Sequence, residues 1–206
     1  MPRRTKQDAA ATRSHLLDTA EAVFEHRGVA GTSLAEIAAA AGVTRGAIYW
    51  HFEDKADLFN AMMERATLPL EQTEAGGRFI GKDASLAEVR DAMVAVLRQV
   101  ATEPRLRRVF DIAIHKVEYA GETNAVRVRQ LDRRNACQAE LERAFKRAVR
   151  GGEMPGITPA RSAALGLIAV FDGLLHNWML DRTVFDLQRE GERAIDVYFR
   201  GLGAAG

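Results

Sequence analysis

The seven residues from Arg45 to His51, Arg-Gly-Ala-Ile-Tyr-Trp-His, bring together a guanidinium fork, a phenol, an indole, an imidazole and a position with no side chain, with no acid among them. The chemistry these groups offer is recognition rather than bond-making. An arginine fork can address the edge of guanine, and the methyl of Ala47 can meet thymine. Hydroxyl, imidazole and ammonium donors at Thr44, Tyr49, His51 and Lys55 suit phosphate oxygens, which fix register on a duplex. A solvated helix face ordinarily carries Lys and Glu, whereas Gly46, Ala47 and Trp50 are small or aromatic. Taken singly, Thr44 reads equally as a helix cap, Trp50 as a lid on a neighbouring helix and His51 as a surface imidazole. Gly46 by itself is a weak spot, costing about 1 kcal/mol relative to alanine in a helix. Their combination on one short segment points to DNA.

The flanking residues supply the elements that would hold such a face. Ser33 and Glu36 have the spacing of a capping box, so a helix is expected to begin at Leu34. Leu34, Ile37, Ala38 and Ala41 recur at three- and four-residue intervals as one buried stripe, and Gly42 provides the left-handed residue that ends a helix. Val43 fills the turn and Thr44 caps a second helix from Arg45 to His51. Ile48 and Phe52, one turn apart, face inward, which leaves Arg45, Gly46, Ala47, Tyr49 and Trp50 outside. A helix, a Gly-centred turn and a two-turn helix form a helix-turn-helix.

On these residues, 12 to 59 resemble the N-terminal domain of the TetR family of bacterial transcriptional repressors. The likeness runs through Leu16, Leu17, Ala20, Phe24 and Gly28, then TSLAEIAAAAGV, then TRGAIYWHFEDKADLF. Around Gly46, Ala47, Ile48, Tyr49, His51, Phe52 and Lys55 it is similar to the AcrR-like branch that controls multidrug efflux pumps. IHKVEYAGE, residues 114–122, and FDGLLHNWML, residues 171–180, resemble the same branch. The resemblance implies a homodimer with two recognition helices in adjacent major grooves of a palindromic operator. It places Thr44, Arg45 and Gly46 on bases and Tyr49, His51 and Lys55 on phosphates. Thr32 and Ser33, at the head of the first reading helix, join Ala47 and Trp50 to complete the expected DNA-facing set.

The composition agrees. The chain has 206 residues, 47% hydrophobic, with 17 Gly and 5 Pro, and its long Ala- and Leu-rich periodic segments predict an all-α fold. A flexible basic arm over 1–11, a helix-turn-helix DNA-binding domain over 12–54 and a helical ligand-binding and dimerisation domain over 55–206 are expected. The formal net charge is +1, and residues 1–60 hold seven Lys or Arg against eight Asp or Glu. Affinity must then come from placed contacts and two-fold repetition rather than bulk attraction. The tail Arg3, Arg4 and Lys6 reads either as a solubilising terminus or as an arm that tracks a phosphate or enters a minor groove.

Beyond Lys55 the periodicity stays clear. Asp54 can cap a helix carrying Leu58, Phe59, Met62 and Met63. A Gly-rich break at Gly76-Gly77 and Gly81 precedes a second capping box at Ser85 and Glu88, a stripe including Val89, Met93, Val96, Leu97 and Val100, and a short helix from Pro104. A long helix from about Glu122 to Arg150 ends at Gly151-Gly152. Thr158 is expected to cap a helix with Pro159 at its first position, and Asp186 to cap the last, which carries Leu187, Ile195 and Tyr198. The resemblance implies an apolar cavity for aromatic or amphipathic inducers, and Val89, Met93, Val96, Phe110, Ile114, Ile168, Phe171 and Leu175 are its candidate lining, each of which also reads as ordinary core. Asp172 and His176, four apart, can anchor a ligand hydroxyl or cation, or pair with each other or with an arginine across a dimer. His115 and Glu118 have a spacing seen in metal sites, without the further carboxylates one needs.

Two apolar C-terminal helices fit a four-helix dimer interface. Half-site readers of this class need a mate at roughly 34–36 Å. The expected partners are thus double-stranded operator DNA, a hydrophobic small-molecule inducer and a second copy of the chain. No signal peptide is recognisable and the apolar stretch from Ala163 to Phe171 falls short of the roughly 20 residues of a bilayer span, so the expected location is the cytoplasm, with no membrane partner. Cys137 alone makes no disulfide framework and reads as packing or as a redox-sensing thiol. No nucleophile-base pair, phosphate-cradling Gly loop or metal-spacing cluster marks an enzyme, and no cofactor is expected. Two other functions compete with the efflux regulator: a TetR-type regulator of a metabolic or signalling pathway, and a ligand-free architectural DNA binder.

Overall fold

The computed structural model describes residues 6–71, 80–81, 83–117 and 124–203, and all regular structure among them is helical. The helices are α1 (Lys6–Arg27), α2 (Leu34–Ala40), α3 (Arg45–His51), α4 (Lys55–Glu71), α5 (Leu86–Thr102), α6 (Pro104–His115), α7 (Asn124–Gly151), α8 (Ala160–Leu180) and α9 (Leu187–Gly201). They form two compact units, the first from residues 1–67 and 108–130, the second from 68–107 and 131–206. This division differs from the boundary expected at 54/55, because the chain passes between units inside α4, α6 and α7. The basic arm is also shorter than expected. Helix α1 starts at Lys6, so the arm's second half is helical, while Arg3 and Arg4 lie outside the described residues.

In the first unit, Leu16, Leu17, Ala20 and Phe24 of α1 form the inward stripe, joined by Leu34, Ile37, Ile48, Phe52, Leu58, Phe59 and Met62 in one apolar core that also takes Val109, Ile112 and Val126. Local signals set the ends of the elements. Both halves of the Ser33–Glu36 capping box are made. At the other end of α2 the Val43 amide donates to the Ala38 carbonyl at 3.0 Å and the Gly42 amide to Ala39 at 3.1 Å, with Gly42 at φ +66°. This is a Schellman closure, which needs the left-handed glycine. Asp54 caps α4, its Oδ1 accepting from the Asp57 amide at 2.7 Å, and Asp57 accepts in return from the Glu53 amide at 3.1 Å. Arg65 of α4 ties that helix to α1, donating to Asp18 at 2.8 Å and to the buried Glu21 at 2.6 Å.

In the second unit the Ser85–Glu88 box starts α5, and Glu153 accepts from the Leu86 amide at 3.3 Å. Helix α9 lies close against α5 at Gly191, where a Cβ would come 2.7 Å from Leu97 Cδ1. Arg90 bridges the same pair through Asp196 at 2.8 Å and Glu192 at 2.7 Å. Tyr198 of α9 donates to the Ala163 carbonyl of α8 at 2.6 Å. Two expectations need adjustment. Pro159, not Thr158, occupies the N-cap of α8, in extended geometry with no side-chain cap bond. The apolar stretch from Ala163 to Phe171 is also part of a longer element: α8 runs 21 residues and is apolar enough in length and composition to cross a membrane, yet Ala163, Ala164, Leu167, Ile168, Leu175, Trp178 and Met179 bury one side of it in protein. Gly76, Gly77, Glu118 and Glu122 lie outside the described residues.

Candidate nucleic-acid interface

Helix α3 is anchored through one side only. Ile48 is its buried residue, and Phe52, which caps it, is 1% exposed. The opposite side is open: Trp50 is 72% exposed and Tyr49 47%, and a Cβ at Gly46 would meet nothing within 4 Å. Arg45 lies over the Tyr49 ring, its Cζ 5.5 Å from the centroid, which restrains a long cation that would otherwise sample many rotamers. Trp50 meets His51 edge to face at 4.6 Å. The Thr44 hydroxyl oxygen accepts from the Ala47 amide at 3.2 Å, leaving its O–H directed to donate elsewhere. Arg45, Gly46, Tyr49 and Trp50 are thus brought together as one exposed surface, edged by the partly covered Ala47 and His51.

Not every expected contact residue belongs to that surface. Thr32 is 2% exposed and its hydroxyl donates to the Gly28 carbonyl at 2.8 Å, so it is an interior brace and not a DNA-facing group. Ser33 is exposed but committed to its capping box, with amide and hydroxyl both on Glu36 Oε2 at 2.8 Å. That engagement holds the Glu36 carboxyl below its ordinary pKa, the backbone bond first and the hydroxyl second, helped by Arg27 and Lys55. Lys55 points its ammonium at the Ala30 and Thr32 carbonyls, at 3.1 and 2.8 Å.

Two residues of α1 escaped the sequence reading. Arg13 places its guanidinium 5.2 Å from the Phe52 ring centroid, and His15 Nε2 lies 3.1 Å from the Ala41 carbonyl at the end of α2. Both are polar positions on an exposed helix face, and nothing in the local sequence distinguishes them from solvated ones.

The candidate ligand residues are divided. Phe110 and Ile114, both half-buried, belong to the first unit, whereas the other eight belong to the second. Val89, Met93, Val96 and Leu175 are no more than 4% exposed and Ile168 is 9% exposed. Phe171 is half-buried, and Asp172 and His176 lie at the exposed side of α8. Protein crowding nevertheless raises the Asp172 pKa, with Arg134 opposing. The Cys137 thiol on α7 is pushed up to about 11, chiefly by burial and then by Glu140 and Asp172.

Residues 16–62 match the family of bacterial regulatory proteins named for tetR, and residues 84–203 match the C-terminal region of MAATS-type transcriptional repressors. The chain belongs to the TetR family. It is 38% identical over 200 residues to the HTH-type transcriptional regulator AcrR of Shigella flexneri, covering 96% of this chain and 92% of that one. It is 39% identical over 202 residues to the repressor BepR of Brucella suis, covering 98% and 97%. Among solved structures it is similar to NalD, the secondary repressor of the MexAB-OprM multidrug efflux pump in Pseudomonas aeruginosa, with a TM-score of 0.85, 32% identity and coverage of 95% and 98%. It is also similar to SmeT, in a complex with triclosan, at TM-score 0.79, 33% identity and coverage of 93% and 91%. Within the TetR family the chain therefore stands close to AcrR and the efflux-pump repressors. TetR regulators bind operator DNA as dimers and respond to small molecules, and the α2–α3 pair is the helix-turn-helix of this one.

Proposed function

We propose that the protein is a cytoplasmic homodimeric repressor of a multidrug efflux operon, released from its palindromic operator by apolar or aromatic antimicrobial compounds. The observation that carries the DNA-binding part is the outward side of α3, where Arg45, Gly46, Tyr49 and Trp50 stand open beside a capping hydroxyl at Thr44. Thr44, Arg45, Gly46 and Ala47 meet base edges, while Tyr49, Trp50 and His51 border the phosphates. Ser33 contributes as the cap that orients α2. The efflux assignment is supported by the similar proteins: NalD represses the MexAB-OprM multidrug efflux pump, and SmeT, the repressor of the multidrug efflux pump SmeDEF, is seen with triclosan.

Inducer binding is assigned to the second unit, around Val89, Met93, Val96, Ile168, Phe171 and Leu175, with Asp172 and His176 as polar anchors. Dimerisation uses α8 and α9, which leave Leu165 49%, Leu180 65% and Val197 60% exposed in the single chain, the kind of apolar surface a partner covers. The inducer acts by binding one spacing of the two recognition helices more tightly than the other, with α4 as the connecting lever. A gel shift on the promoter of an adjacent transport operon, with triclosan as the first release probe, tests the proposal. Sequence-specific retardation abolished by competitor operator is expected. Binding without sequence preference and with a steep salt dependence would instead mark an architectural protein.

A further inference from the structure

Consecutive residues of α1, Arg13, Ser14 and His15, are each tied to a different helix of the first unit. Arg13 sets its guanidinium 5.2 Å from the ring centroid of Phe52, the residue that caps α3. The Ser14 carbonyl accepts from Arg65 Nη1 of α4 at 3.0 Å, with the Ser14 hydroxyl 3.3 Å from the same nitrogen. Arg65 Nη2 continues along α1 to Asp18 and Glu21, at 2.8 and 2.6 Å. His15 Nε2 lies 3.1 Å from the carbonyl of Ala41, the C-cap of α2. A carbonyl only accepts, so that nitrogen carries the proton and donates. Successive residues of a helix point about 100° apart, which is how one turn of α1 reaches α2, α3 and α4 at once.

We propose that this turn of α1 is a positioning hub for operator reading: His15 and Arg13 hold the ends of α2 and α3, and Arg65 fixes the hub to α4. The physical reason lies in how little α3 has of its own. It is seven residues long with Ile48 as its buried residue, and a helix of two turns is not stable by itself, so its direction is set from outside. At the end of α2 the Gly42 and Val43 amides already occupy the Ala39 and Ala38 carbonyls. The Ala41 carbonyl points past the last turn, where a helix has no further amide to offer, and His15 supplies the donor. At the far end of α3 the Arg13 cation covers the Phe52 ring, an attraction of electrostatic origin. The reading unit is thereby gripped at its turn and at its exit by side chains two positions apart on α1. The proposal rests on the α2–α3 pair being the DNA reader.

A hub makes residues on different helices act as one. The test uses the full-length dimer and a duplex that the wild-type protein enriches from random DNA. His15→Leu is expected to bind that duplex about tenfold more weakly, roughly threefold for one hydrogen bond at each of two half-sites, with faster amide exchange over residues 41–47. Its melting temperature should stay within about 2 °C of the wild type, because the position is exposed. His15→Gln keeps an N–H donor on a side chain of similar reach and is expected to restore both affinity and exchange, which a general loss of stability would not allow. Arg65→Met is made together with Glu21→Gln, so that no carboxylate stays buried without its cation. That pair is expected to weaken binding and quicken exchange over the same residues 41–47, and its combination with His15→Leu to fall short of the product of the two effects. Full affinity in His15→Leu, failure of glutamine to rescue, or a plain product in the combination overturns the proposal. So does a salt slope lowered by about 0.9 in His15→Leu, the mark of a lost phosphate contact. If the Arg65 variant does not fold, the His15 variants decide: weaker binding rescued by glutamine supports the hub, and full or unrescued binding refutes it. If the wild type enriches no sequence, operator reading itself fails, and the exchange comparison still decides whether α1 holds the end of α2.

Discussion

Substituting Gly46 by alanine separates two readings of α3 that otherwise look alike. A helical glycine is disfavoured against alanine by about 0.5–1 kcal/mol, and the lower end applies in the first turn of a helix as short as Arg45–His51. No clash offsets the gain, because the new methyl meets nothing within 4 Å, and Gly46 is not among the residues at positive φ. Gly46→Ala should therefore melt higher than the wild type, by roughly 1–2 °C for a chain of this size. If the helix backbone lies against base edges, the same methyl intrudes on a close-packed contact, where overfilling costs about 1–3 kcal/mol. Operator affinity should fall at least about tenfold, since the dimer repeats the intrusion at both half-sites. Differential scanning fluorimetry and fluorescence anisotropy on one preparation give both numbers. A Gly46→Ala protein that is more stable and binds as well as the wild type, with Gly46→Leu doing likewise, would show that this glycine is merely a weak point on a free surface.

Three other outcomes follow from the same structure. Arg45→Ala combined with Tyr49→Ala should cost about 1–3 kcal/mol of operator binding per half-site and shift stability by no more than about 0.5 kcal/mol, as both side chains are exposed; anisotropy beside thermal melts checks it, and full binding refutes the assigned face. Glu36 has a depressed pKa through its bonds from Ser33, so its contribution is complete above the ordinary carboxylate range and lost as pH falls through the depressed value. The gap in melting temperature between wild type and Glu36→Gln should hence be widest near neutrality and close in acid, whereas a pH-independent gap contradicts the capping role. Cys137, raised to about 11, should remain a thiol at neutral pH and react with iodoacetamide far more slowly than an exposed cysteine; rapid neutral-pH alkylation would restore the redox-sensor reading.

The parts legible in the sequence are those that local physics decides. Both capping boxes, the Gly42 closure, the Asp54 and Asp186 caps and the inward pairing of Ile48 with Phe52 depend on residues within a few positions of one another, and each is found where the spacing puts it. Thr32 shows where such reading stops. A threonine heading a helix is as compatible with a phosphate contact as with a brace, and what distinguishes them is tertiary: the Thr32 side chain is buried with its hydroxyl on the Gly28 carbonyl. Arg13 and His15 are the converse case: their partners, Phe52 and Ala41, are far away along the chain, and no period or motif links them. Phe110 and Ile114 match the apolar period of a pocket wall, but period does not tell which unit a helix end belongs to. α6 crosses from one unit to the other within its own length.

The near-neutral charge of the N-terminal segment looks unfavourable for a DNA binder until its acids are followed to their partners. Asp18 and Glu21 hold Arg65, Glu25 pairs with Arg108, Glu36 closes the start of α2, and Asp54 and Asp57 close the start of α4. These carboxylates are engaged in building the domain, and α3 itself carries none. Arg45 is the cation on the open side of that helix, with Arg13 stacked at its C-terminal end. A net charge summed over the segment thus understates the field at the reading surface, though it correctly describes the field at a distance. Long-range attraction decays within about 10 Å at moderate salt, so on the proposed reading, with Arg45 and the bare backbone at Gly46 against base edges, such a surface would gain little on arbitrary DNA and keep its advantage for the sequence that fits. That reading makes weak non-specific binding and strong discrimination two consequences of one arrangement of acids.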